Sequence, residues 1–495
     1  MKRFLTCTAL MTLVAALAFP LQFAAQNNPH HPMHHHYKLI DLGRFGGPQS
    51  WVFGAFESPS VTINNAGTVI GAANTPDSNP NSSYPCNPFG TLSCVLFGTQ
   101  DPIVEHAFQF RNGGLTDLGV LSGGYNSFAA WVSANGLIAG ASENGVIDPI
   151  LGVPEAHAVL WNADGQLKDL GTLGGTLSFA FSVNTRGQVA GASLDASGNI
   201  RAIRWTKKEG MRDLGTLGAC CAIAGTINEQ GQISGESGIC DTCNQDAFFW
   251  DHGKMYDIPD FGGPISFHYA LNNRGQVVGQ SDLPGGAYAH PFLWDKKNGI
   301  KDLGLLPGGL SASAHWINDA GQIVGISGIQ NDQLFHAVLW NRGITDLGTV
   351  DGDSCSVAEY INAEGQVVGG TFDCNTGAFL HAFLWERGGP MVDLNTLVPP
   401  DSGLLLTGAF SINDRREIAG QGTTSAGNNH AFSLIPCDEN HPGVEGCDYS
   451  LVEGTVATDR SHPSLHEAVA PARPALTMRR GYRFHTLGAA VGPRN

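Results

Sequence analysis

The sequence predicts an all-β protein: an eight-bladed β-propeller of four-stranded blades, closed by an N-terminal outer strand pairing with the C-terminal blade. Three observations predict it. Three short patterns recur eight times each, always in the same order. Their spacing is nearly constant: the DLG-type aspartates from Asp117 onward lie 52, 44, 44, 45, 44 and 47 residues apart. The composition suits short strands and tight turns, with 65 glycines in 495 residues and 14% charged residues, against about 25% in ordinary domains.

The first pattern, HAFLW-like, starts at His106, His157, Arg201, Asp246, His290, His336, His381 and His430. The second, DLG-like, starts at Asp41, Asp117, Asp169, Asp213, Asp257, Asp302, Asp346 and Asp393. The third is an Ile-Asn turn followed by a strand ending in Gly, with Asn64, Ser133, Asn184, Asn228, Asn272, Asn318, Asn362 and Asn413 at the turn position. Aromatic and aliphatic runs such as HAFLW suit a pleated, buried surface. Segments such as INDAGQIVG, residues 317–325, place polar turn formers between two apolar runs. Each unit therefore holds about four short strands, and so small a sheet buries its faces only by stacking on neighbours.

The order of strands within a unit follows from residue size. Three residues before the Ile stand Ala129, Ala180, Ala224, Ala314, Ala358 and Ala409, with Ser60 and His268 as exceptions. Small side chains fit a crowded innermost strand, so this strand is placed inside, followed by GQIVG, HAFLW and then DLG outermost. The repeats begin with an outer-type strand, 37–43, and end with three inner ones, 404–435. Joined, the two ends complete one blade and leave no exposed sheet edge; the alternative, an open β-solenoid or stacked array, predicts capping units at the ends rather than complementary fragments.

The series HAFLW, DLGTLGG and INxxGQVVG resembles the HAF-repeat family of extracellular bacterial proteins, over about residues 37–435. The resemblance implies export and a propeller-like fold, and carries no catalytic residue across. Arg201 and Asp246, standing where six units carry His, depart from its pattern.

Residues 1–26 read as a signal peptide: Lys2 and Arg3, an apolar run from Phe4 to Phe19, then Ala24 and Ala25. Residues 27–36 read as a His-rich spacer, 37–436 as the eight-repeat propeller, and 437–495 as a disulfide hairpin and largely disordered tail. The expectation is a secreted protein, extracellular or periplasmic, a monomer with no transmembrane segment in the mature chain. The formal charge of −17 argues against a nucleic-acid partner, because phosphate binding needs a basic surface.

Of 11 cysteines, removal of Cys7 with the signal leaves an even ten, which suits an oxidising compartment. Cys355 and Cys374 lie six before and thirteen after Ile361, and Cys221 and Cys240 lie likewise around Ile227. This equivalence predicts Cys355–Cys374 and Cys221–Cys240, leaving Cys220 with Cys243, Cys86 with Cys94 and Cys437 with Cys447. Cys240-x-x-Cys243 is the rival redox or zinc reading.

Residues shared by every unit are expected to be structural, the repeated His and Asp satisfying turns and bonds between blades. Individuality should lie in the exceptions. One is the loop between the second and third strands: 35 residues from Gly71 to His106 and 17 from Gly140 to His157, against 10–12 elsewhere. The first loop carries Tyr84, Phe89 and the Cys86–Cys94 pair, and both should emerge side by side on one face. The other exception is on the inner strand, where His268-Tyr269, His315-Trp316, Glu359-Tyr360 and Trp131 replace small residues. Such groups near an axis suit a sugar or small polar ligand through stacking and hydrogen bonds. HExxH, P-loop and GxSxG motifs are absent from the sequence, and no catalytic residue, metal site or cofactor is assigned. The function expected from the sequence is a secreted non-enzymatic binding module for an extracellular glycan or protein ligand. The alternatives are a secreted hydrolase or lyase with an axial site, for which Glu359, His315 and His268 are the available set, and a structural cell-surface or matrix protein.

Overall fold

The structure, a computed structural model, describes residues 33–52, 60–82, 102–149, 152–219, 221–238, 244–386 and 388–453. Among these the chain forms β-strands and one 3-10 turn, Leu394–Leu397, and no helix is long and apolar enough to cross a membrane. The strands make six four-stranded sheets and one eight-stranded sheet, together with a small two-stranded one. The eight-stranded sheet is two four-stranded units joined by one parallel bridge, Leu177 to Ala156. The fold is all-β, of the propeller type. The signal segment, most of the spacer, Tyr84, Phe89, Cys86, Cys94, Cys220, Cys240, Cys243 and the tail from residue 454 lie outside the described residues.

Within a unit the strands follow chain order, as in Ala312–Ile317, Ile323–Ile329, Leu334–Trp340 and Ile344–Gly348. Numbered by their Ile-Asn turns, units 1 to 7 are built this way. Unit 8 is composite: Leu404–Ile412, Ile418–Thr424 and Asn429–Pro436 are completed by Tyr37–Asp41, which pairs from Tyr37 with Pro436 to Asp41 with Phe432. First strands such as Ser127–Val132, Ala222–Ile227 and Ala312–Ile317 are buried at every residue, as strands covered on both faces must be. Fourth strands such as Gly114–Asp117 are largely exposed.

The glycine that ends each second-strand motif has a steric cause. The Ala three residues before the Ile pairs with the Gly that ends the next motif, as Ala129 with Gly140 and Ala314 with Gly325. A Cβ on Gly140 would stand 2.0 Å from the Phe128 carbonyl oxygen, and one on Gly325 2.1 Å from that of Ser313. The residue after the Ala is left over in a β-bulge, which re-aims its side chain. That bulged position carries Tyr269, His315 and Glu359 in units 5, 6 and 7.

The turn asparagines link the units. Each accepts from two backbone amides of its own turn, as Asn318 does from Ala320 and Gln322. Each also donates Nδ2 to the turn carbonyl of the next unit. The bonds run Asn184 to Asn228 (3.0 Å), Asn228 to Asn272 (3.1 Å), Asn272 to Asn318 (3.1 Å), Asn318 to Asn362 (2.9 Å), Asn362 to Asn413 (3.0 Å), Asn413 to Asn64 (2.9 Å) and Asn64 to Ser133 (3.0 Å). Ser133 has no amide to donate, and Asn135, two residues on, bonds the Thr185 carbonyl at 2.9 Å instead.

The motif His and Asp bond within a unit, not between blades as the sequence suggested. Nδ1 of His106, His157, His290, His336 and His430 meets the carboxylate of Asp117, Asp169, Asp302, Asp346 and Asp41 at 2.7–3.0 Å. Third and fourth strands are neighbours, so the two motifs fall opposite one another. Arg201 replaces the His functionally, its Nε 2.8 Å from Asp213. His381 turns to Asp353 instead, at 2.7 Å, because Asp393 caps the 3-10 turn. Asp246 has no such partner to gain: burial, then Asp257 and Asp260, push its carboxyl above the ordinary range.

Cys355–Cys374 and Cys437–Cys447 are disulfides. Residues 33–35 of the expected spacer form a strand against Leu451–Glu453, and buried His34 bonds Glu386 at 3.0 Å.

Candidate functional site

Along each first strand the four residues before the Ile descend toward the asparagine turns. In six units the outermost of these is apolar: Phe128, Phe179, Ile223 and Phe267 in units 2 to 5 and Val357 in unit 7 are five of them, with Pro59, outside the described residues, in unit 1. Unit 6 has Ser313 there, and two residues on, His315. Ser313 Oγ lies 2.6 Å from His315 Nε2, and both residues are buried. His315 is the extra residue of the bulge, which re-aims its side chain and brings Nε2 to the serine two positions back.

His315 bonds the Ala358 backbone carbonyl as well, and burial, the larger influence, pulls its pKa down to about 4. In the tautomer that carries its proton on Nδ1, Nε2 presents a lone pair and the serine hydroxyl is the donor in the Ser313–His315 bond. The Tyr269 ring stands 5.1 Å from that of His315. Burial, then the charges of Glu236 and Glu359, hold the Tyr269 phenol protonated far above its ordinary range. Tyr269 is therefore a hydrogen-bond donor at any physiological pH.

Glu236 was not singled out by the sequence. It occupies the position after the conserved-pattern Gly where other units have Ala72, Ala141, Ala192 or Ile326, and it bonds His268 Nδ1 at 2.8 Å. Comparing second strands as closely as first strands would have found it; Ser313 needed the same comparison one position further out.

Toward the turns three aromatic rings pack together. Trp316 stacks on Tyr360 at 4.3 Å between centroids and meets Trp131 at 6.1 Å. Trp131 belongs to unit 2 and Trp316 to unit 6. Ser313 lies about 10 Å from this cluster along the strand, at 3.3 Å per residue, on the side away from the turns. The second-to-third-strand loops leave on that same side. There Asn81 of the first loop bonds Glu143 of unit 2 at 3.1 Å, and Asn126 bonds it at 3.0 Å. Burial still raises the Glu143 carboxyl despite these donors.

The structure thus brings together His268, Tyr269, His315, Trp316, Glu359, Tyr360 and Trp131, seven of the nine residues expected to bind a ligand. The other two, Tyr84 and Phe89, are outside the described residues. Among the described residues no group of three or more His, Cys, Asp or Glu is arranged to hold a metal ion.

No family model and no curated protein matches the chain. Among solved structures it is similar to the β-propeller domain of the Trilobed protease from Pyrococcus furiosus, which has an open velcro topology: 10% identity, TM-score 0.40, 69% of this chain and 97% of that one. It is also similar to Pyrococcus horikoshii acylaminoacyl peptidase, at 12% identity and TM-score 0.38, over 62% of this chain and 50% of that one. Puromycin hydrolase gives 11% identity and TM-score 0.39, over 61% and 50%. The chain thus spans about half the length of the latter two. These likenesses concern the fold. The expectation of a non-enzymatic binding module is corrected on the chain's own geometry, which pairs a buried serine with a buried histidine.

Proposed function

We propose that this chain is an exported hydrolase on a closed eight-bladed propeller of the HAF-repeat type, with its reactive centre on the axis at Ser313. The observation that carries the reading is the Ser313–His315 bond of 2.6 Å beside Tyr269. A serine is a weak nucleophile until an adjacent base takes its proton, and the base must in turn be oriented. Here the Ala358 carbonyl orients the imidazole. Ser313 Oγ attacks the carbonyl of an ester or amide, and its proton passes to His315 Nε2. The Tyr269 hydroxyl donates to the oxygen that becomes negative. Collapse of the tetrahedral adduct expels the leaving group, which takes the proton from His315. Water then cleaves the acyl-serine by the same route and restores the hydroxyl.

Three observations support the closed ring of eight. Tyr37–Asp41 is the fourth strand of the last unit. The asparagine bonds return from Asn413 to Asn64. Trp131 and Trp316 meet from units four apart, which in a ring of eight are opposite one another. Export is supported by the two disulfides and the signal-like first 26 residues.

The test is a panel of nitrophenyl esters and amino-acid nitroanilides, assayed with the purified full chain and with Ser313→Ala. Turnover that falls at least 1,000-fold in the variant is expected, the scale at which a nucleophile and its base act together. Turnover unchanged in Ser313→Ala, or none on any substrate, refutes the reading.

A further inference from the structure

The bulged positions of the first strands and the positions next to them form the inner wall, and in all eight units neither carries Lys or Arg. Carboxylates do reach it. Glu359 occupies the bulge of unit 7, and the charges of Glu236 and Glu359 both act on the Tyr269 hydroxyl. A third acceptor is His268. Its Nδ1 faces Glu236, so that nitrogen is the donor and Nε2 keeps its lone pair. His268 is 5% exposed, and Nε2 has no hydrogen-bond partner in the structure. It stands over Gly225, where a Cβ would be 2.3 Å away. Gly225 is the bulged position of unit 4, so Nε2 occupies the place from which Tyr269, His315 and Glu359 project in the next three units. A buried polar atom left unpaired in this way costs about 1–3 kcal/mol, and a ligand donor there removes that penalty.

We propose that the axial site selects substrates bearing a primary ammonium group, received by His268 Nε2, Glu236 and Glu359 against the Tyr269 ring. A primary ammonium has three donors and no acceptor, and this wall offers three acceptors and no competing cation. Aromatic faces add attraction for an organic cation. The inference deepens the hydrolase reading and rests on it for the position of the scissile bond, but binding is measurable without turnover.

The experiment titrates L-phenylalaninamide and N-acetyl-L-phenylalaninamide into the full-length Ser313→Ala protein by calorimetry. The free amine is expected to bind at least 100-fold more tightly than the acetylated form. Adding Glu236→Gln should weaken the amine at least 10-fold and leave the acetylated form unchanged. Glu236 is partly exposed, and near-ultraviolet circular dichroism checks that the variant keeps its packing. Equal binding of the two probes, binding of neither, or displacement of the amine by micromolar zinc overturns the proposal. If the amine binds as expected while the parent enzyme hydrolyses nothing, the hydrolase reading fails alone.

Discussion

Replacing His315 by glutamine should make the protein less sensitive to acid. In the folded chain burial holds this imidazole neutral down to a pKa of about 4, against 6.5 for a free one. The unfolded chain therefore takes up a proton below pH 6.5 that the folded chain refuses. Stability contributed by keeping the ring neutral is complete above pH 6.5 and is lost as the pH falls toward 4. Linkage puts the loss at about 2 kcal/mol by pH 5 and about 3 kcal/mol by pH 4. Other groups titrate in the same range, but they cancel in the difference between parent and variant. With an unfolding entropy of about 2.1 cal/mol/K per residue over roughly 400 ordered residues, the gap in Tm should move by about 2 °C at pH 5 and about 4 °C at pH 4. The assay is scanning calorimetry of both proteins at pH 7, 5 and 4. The parent gains on the variant at neutral pH and loses that ground in acid. A Tm gap that stays constant across the three pH values refutes the buried, neutral imidazole, and with it the base assigned to Ser313.

Trp316→Ala removes a ring that touches both Trp131 and Tyr360, and should lower stability by about 3–5 kcal/mol, read from urea unfolding; a loss below about 1 kcal/mol contradicts the contact between units 2 and 6. Asn318→Ala strips two turn amides of their acceptor and the Asn362 carbonyl of its donor, and should cost about 1–3 kcal/mol. His336→Ala breaks a pair whose aspartate is 43% exposed, and should cost no more than about 1 kcal/mol, less at high salt; parity with Asn318→Ala in the same unfolding experiment would contradict the different weights given to the two motifs.

The repeat made the fold readable in unusual detail. Strand order followed from the small residues of the first strand, and the pairing of Tyr37–Asp41 with the last unit followed from the phase of the repeat. The partners of the motif His were misassigned because spacing within a unit and spacing between units both allow a bond; register decides, pairing Asp302 with Phe292 and leaving His290, two residues along the same strand, within reach of the carboxylate. The axial residues were legible as departures from the pattern wherever the departure was large, as at His268 and Glu359. Ser313 escaped because serine is common elsewhere on these strands, and it becomes distinctive only once its row is known to be apolar. Glu236 escaped because it lies on a second strand, and a glutamate in a Gly-rich turn-and-strand segment reads as solvated. Its proximity to His268 is a contact between units, which a single strand's sequence cannot reveal.

The most direct measurement is covalent. A fluorophosphonate reagent phosphonylates a serine whose proton an adjacent base accepts, with fluoride as the leaving group. Incubated with the full chain and followed by peptide mass spectrometry, it should modify Ser313, modify His315→Gln far more slowly, and leave Ser313→Ala unlabelled. Modification of the parent at another serine, or none at Ser313 under conditions that label a reference serine hydrolase, would contradict the account.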